Sequence, residues 1–214
     1  MKTFLTYSKI TILSTILSIY LFQIFLTIKF SGSLGEISKK ISLYENSTGK
    51  KYDLRTKYEF YNDLKKINND VTVVMSPAFG LEYFGQQHFE DNLFPLSGFS
   101  YKKTINCNEN GYYSIFQSDR FGFRNPDTEW DVSKVELMLI GDSFVHGCGV
   151  DDGQDLAGHL RGITNNNVIN LGIGGNGPLA EYATLIEYGE RVSANTILWI
   201  YYEGNDLNNL FIEG

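Results

Sequence analysis

"VELMLIGDSFVHG", residues 135–147, joins a continuous apolar run to a glycine, an acid and a serine within one turn. The run Val135–Gly141 has strand length and no polar alternation, the pattern of a strand buried on both faces of a sheet. Ser143 stands just past its end, with Gly141 and Gly147 on either side. A serine so placed can hold its hydroxyl at the rim of a sheet, with the amides of the next helix near a developing oxyanion. The plainer role is also open, because Asp and Ser are favoured helix caps. His146 is three residues further on; from that position a side chain faces into the following helix, and it is read as a turn contact rather than a base.

The pattern of strand, turn and helix repeats downstream. Residues 151–164 read as a helix with acids in its first turn, 167–172 as a second strand, and 178–192 as a second helix with Pro178 at its first position. Residues 195–204, "NTILWIYYEG", read as a third buried strand. Strands alternating with helices imply right-handed crossovers and a parallel sheet, and ligands then bind beyond the carboxyl ends of the strands. Three polar, glycine-bearing turns fall at those ends: "GDSFVHGCG", "NLGIGGNGP" and "YYEGNDLNN". The second carries Gly172-x-Gly174-x-x-Gly177, the spacing of a dinucleotide-binding turn, but Pro178 starts the helix too late for that fingerprint. A turn that merely needs glycine conformations fits it as well.

Taken in order and spacing, the three turns resemble the blocks of the SGNH/GDSL family of ester hydrolases: "GDSF", "NLGIGG" and "GND". The resemblance covers residues 135–210 and implies a flavodoxin-like three-layer α/β/α fold with a parallel sheet. It also implies transfer or hydrolysis of acyl groups on acylated small molecules, lipids or polysaccharides. Matched position by position, Ser143 is the nucleophile. Gly175 supplies a backbone amide to the oxyanion hole and Asn205 its side chain, with the Ser143 amide as the third donor. The preceding "SDRFGFRNPDTEWD" also resembles the lead-in of membrane-anchored bacterial members. The family's fourth block, a D-x-x-H supplying general base and orienting acid, has no counterpart in the chain. His88 and His159 do not occupy its place. Three strands and two helices also leave a doubly wound sheet open, so the domain is expected to continue beyond residue 214. The implied activity is that of a serine-dependent acyl-ester hydrolase. The alternatives are an O-acyltransferase acting on surface polysaccharide and a non-catalytic SGNH-like binding module without its base. A nucleotide-binding domain using the glycine-rich turn stands third.

Composition bounds the remaining classes. Eighteen basic against 25 acidic residues give a net charge of −7, which argues against nucleic acid as a partner. Cys107 and Cys148 have no ligand-type spacing, so no metal and no cofactor are expected; one disulfide or two free thiols are equally open. Residues 10–28 carry no charge between Lys9 and Lys29. At ~1.5 Å per residue such a helix spans ~28 Å, so it is read as an uncleaved membrane anchor within residues 1–30, in preference to a signal peptide. The expected localisation is a single-pass membrane protein with its globular part extracytoplasmic, although the lysines on both sides leave the orientation open. Residues 31–70 read as a polar stalk with one amphipathic helix near 54–68. Residues 71–134 read as a small, irregular β-rich lead-in, and 135–214 as the N-terminal part of the hydrolase domain. The aromatics Tyr112, Tyr113, Phe116, Phe121 and Phe123 suit a core better than a sugar platform.

Overall fold

The computed structural model describes residues 2–77 and 94–213, with backbone only for 2–6, 8–10, 28 and 30–34; His88 lies outside the described residues. The chain divides into two units, Met1–Tyr52 and Asp53–Gly214. The first is one helix, α1 (Lys2–Thr48), which runs on through both the apolar stretch and the polar residues after it. Within it Thr11, Ser14, Thr15 and Thr27 donate their hydroxyls back to carbonyls three or four residues earlier. Together with Ser18 and Gln23 they break the apolar run with polar groups. Among the described residues no helix is long and apolar enough to cross a membrane. This overturns the expectation of an anchor over 10–28 and, with it, the single-pass localisation.

The second unit is mixed α/β and, among the described residues, contains two small sheets. Helix α2 (Lys57–Ile67) opens it with a capping box: the Thr56 side chain accepts from the Glu59 amide while Glu59 reaches back to the Thr56 amide. Strands β1 (Val71–Val73), β2 (Lys103–Ile105) and β3 (Ile115–Gln117) form the first sheet, β1 parallel and β3 antiparallel to β2. A buried carboxylate then organises the chain as far as the 3-10 helix Asp127–Trp130. Asp119 accepts from the amides of Phe121 and Phe123, from Asn125 Nδ2 and from Trp130 Nε1. Four donors on one buried acid fix this loop without regular structure.

The second sheet holds β4 (Lys134–Gly141), β5 (Val168–Asn170) and β6 (Ser193–Ile200), all parallel, in the order β5-β4-β6. Between and after them lie α3 (Ser143–His146), α4 (Leu156–Thr164), α5 (Pro178–Gly189) and α6 (Asp206–Glu213). Its core joins Phe123, Trp130, Val135, Met138, Ile140, Ile169, Leu171, Ile173 and Val192. A second, separate cluster of Leu139, Val145, Ala157 and Val168 lies on the opposite face of β4. Central position explains why Val135 and Met138–Gly141 are buried: β4 is covered by a strand on each side.

Two expectations are corrected here. The strand read as buried at 195–204 lies open: Ile197, Leu198 and Trp199 remain 49%, 39% and 45% exposed. Its outer edge pairs with no strand among the described residues. The expected three-layer, flavodoxin-like domain preceded by a transmembrane helix is therefore not what is present. An apolar run states only that a strand can be buried; the neighbours decide whether it is.

The lead-in locks onto β5. Asn125 accepts from the Asn170 amide and from Arg161, and Glu129 accepts from the Val168 amide. Arg124, almost fully buried, donates to the carbonyls of Gly147, Val150 and Asp151, binding the turn after α3. A disulfide joins Cys107 to Cys148 across a sequence separation of 41 residues, so the pair open in the sequence is bonded. Closing a loop of that length contributes about 4 kcal/mol on the chain-entropy relation.

Candidate active site

Every component of the site sits at a carboxyl end of the second sheet. At the end of β4, a Cβ added to Gly141 would lie 2.5 Å from Val145 Cγ2 and 2.8 Å from the Ile200 carbonyl oxygen, so only glycine lets α3 fold back so tightly. Asp142 caps α3 by accepting from the Phe144 amide at 3.0 Å. Ser143 then starts the helix, partly exposed, and donates its hydroxyl to Asp142 Oδ2 at 3.5 Å.

Asn205, beyond the end of β6, donates Nδ2 to the same Asp142 oxygen at 3.2 Å. Its own Oδ1 is buried without a hydrogen-bond partner. The turn after β5 completes the group. Gly174 approaches so closely that a Cβ there would touch Ser143 Cβ at 3.5 Å, and Gly175 follows it with φ +87°. The structure thus joins Ser143 and Asn205 through one carboxylate and sets the turn bearing Gly175 beside them. Asp142 as the shared acceptor is what the sequence reading missed: its capping role was visible, its link to residue 205 was not.

Among the described residues His146 makes no hydrogen bond to Ser143. It is buried, and its Nδ1 accepts from the Gly174 amide at 3.3 Å while its ring meets Phe116 edge-on. Burial, reinforced by the charges of Arg124 and Lys57, pushes it down to about 3, so it is a neutral structural acceptor. His159 is exposed on α4. Among the described residues no imidazole hydrogen-bonds to Ser143.

The depressed His146 gives a pH prediction. Below its ordinary 6.5 the unfolded chain takes up a proton that the folded protein refuses until about 3. Its contribution to stability is therefore complete above 6.5 and lost as the pH falls towards 3, at up to about 1.4 kcal/mol per pH unit. Glu181 makes the opposite demand, since burial, and then the neighbouring Asp206, Asp142 and Glu213, raise it to about 7 although Trp199 Nε1 donates to it. Its effect is common to wild type and His146→Gln and cancels between them. Urea unfolding of both proteins from pH 7 to 4 is expected to show the steeper acid loss in wild type alone; parallel curves would refute the assignment.

The amides of the glycine-rich turn that a phosphate would need are already engaged. The Gly174 amide goes to His146, and the amides of Gly177 and Leu179 go to the Glu213 carboxylate at 2.6 and 3.0 Å. An acid thus fills the start of α5, the place where a dinucleotide phosphate would have to sit. The aromatics of the lead-in pack inward: Phe116 and Phe123 are buried, Phe121 meets Trp130, and Tyr113 stacks on Phe60. Ligand atoms of Cys107, Glu109 and Cys148 lie within 4.8 Å of one another, but the two sulfurs are bonded to each other and are not thiolates.

No protein-family model, no curated protein and no solved structure matches the chain.

Proposed function

We propose that the second unit is a serine-dependent acyl-ester hydrolase acting on an acylated small molecule, lipid or polysaccharide. Ser143 is its nucleophile, and the amides of Ser143 and Gly175 with the Asn205 side chain receive the oxyanion. The observation that carries this reading is the meeting of Ser143 Oγ and Asn205 Nδ2 on Asp142 Oδ2, at the ends of two parallel strands. In the reaction Oγ attacks the ester carbonyl, the C–O bond to the alcohol breaks, and water later releases the acid. Asn205 serves the oxyanion by turning its amide from Asp142 to the substrate oxygen, a shift of one side chain.

The serine hydroxyl must also lose a proton. A general base contributes ~10²–10⁴-fold, and among the described residues only Asp142 accepts from Oγ. A carboxylate is a poorer base than an imidazole, so turnover is slow. Oxyanion donors and binding alone sustain ~10³–10⁴-fold over water. A fluorophosphonate is expected to label Ser143 in wild type, slowly, and not to label Ser143→Ala, with intact-mass and peptide-mass readouts. A folded wild type that stays unlabelled while hydrolysing no short-chain aryl ester would end this reading.

That no imidazole among the described residues hydrogen-bonds to Ser143 favours one second reading, a binding module that holds an acylated ligand at the same rim. It predicts ligand-dependent thermal stabilisation that survives Ser143→Ala, with no labelling.

A further inference from the structure

We infer that Glu109 sets the charge preference of this site, favouring esters with a cationic group near the scissile bond and rejecting anionic ones; the inference rests on Ser143 being the nucleophile. A cavity of about 240 Å3 opens directly beside Ser143. Phe144, Leu156 and Cys148 line it, together with two acids, Glu109 and Asp155, and no lysine or arginine does. The two acids are not equivalent. Asp155 is buried, accepts from Asn170 Nδ2 at 3.0 Å, and is felt by the Arg161 charge. Glu109 is exposed and has no ion pair among the described residues.

Its position is also fixed. The Cys107–Cys148 bond anchors the chain two residues before it, and Asn110 Nδ2 donates to the Gly149 carbonyl at 2.9 Å one residue after it. Gly149, at φ +81°, passes so close that a Cβ there would lie 3.0 Å from Glu109 Cβ and 3.4 Å from its Oε2. The Glu109 backbone and Cβ are therefore held at the cavity wall, while its carboxylate stays exposed. A single charge held this way a few ångströms from a bound group, partly screened by water, changes rates by about three- to tenfold.

The test uses two fluorophosphonates of equal reach, one with a neutral alkyl arm and one ending in trimethylammonium. In both, the Oγ–P bond forms as P–F breaks, and the hydroxyl proton and fluoride pass to buffer. The measured quantity is the ratio of labelling rates at Ser143, cationic over neutral. It is expected to be about three to ten in wild type, near one in Glu109→Gln, and below one in Glu109→Lys, with 1 M NaCl collapsing the wild-type preference. An unchanged ratio in Glu109→Gln while both probes label would overturn the role of Glu109 and leave the nucleophile standing. Failure of both probes on folded wild type would remove the nucleophile and this inference together.

Discussion

Replacing Asn170 with Ala is expected to cost the second unit about 3–5 kcal/mol, the largest stability loss of any single substitution considered, read as a shift in urea midpoint at unchanged slope. The side chain is fully buried at the end of β5 and makes three hydrogen bonds. Nδ2 donates to the Val145 carbonyl at 2.7 Å and to Asp155 at 3.0 Å, while Oδ1 accepts from the Gly172 amide at 2.8 Å. Alanine leaves one carbonyl, one amide and one carboxylate without that partner, in a place water does not reach. Each such loss costs about 1–3 kcal/mol, and they are not additive. Asn170→Asp is expected to be no better at neutral pH, because it replaces two donors with an oxygen facing Asp155. A midpoint within experimental error of wild type in both variants would mean that the three bonds contribute nothing net.

Asp142→Asn is expected to slow fluorophosphonate labelling of Ser143 by about 100-fold, within the span that base assistance supplies. The amide can still cap α3 through the oxygen that accepts from Phe144, so stability changes little. At the other position a donor now faces the donors of Ser143 and Asn205, and the common acceptor is gone. Asp142→Ala loses the cap as well and is expected to cost a further ~1 kcal/mol of stability. The pair of variants separates capping, read in unfolding, from gathering the site, read in labelling. Wild-type labelling by Asp142→Asn would show that the carboxylate does nothing for Ser143 beyond ending the strand.

That the turns bearing Ser143, Gly175 and Asn205 would meet was legible, because polar turns after apolar runs are local patterns and a parallel sheet brings such turns to one edge; their roles come from the family resemblance alone. The elements were partly legible for the same reason: Val135–Gly141 became β4 with one residue added, and Pro178 does begin α5, but the helix expected over 151–164 begins only at Leu156, without acids in its first turn. The partners of buried polar groups were not. Asn125 and Asn170 lie 45 residues apart, Arg124 and Asp151 27 apart, and no periodicity couples them. The exposure of β6 was equally out of reach, since "TILWI" reads alike whether or not a neighbour covers it. At residues 10–28 uncharged character alone does not make a membrane span, because hydroxyl and amide side chains recur along that run.

The two tryptophans divide the second unit optically. Trp130 is buried, donating to Asp119 beneath the lead-in, whereas Trp199 stands half exposed on β6, donating to Glu181 and stacked with Tyr182. Intrinsic emission therefore has a blue component that follows the lead-in and a red one that follows the open strand. Iodide reaches only the second. Protonation of the carboxyl beside it, around neutral pH, modulates its intensity without any label. Binding over β6 and loosening of the lead-in are thus distinguishable in one unmodified sample, from the two ends of a single spectrum.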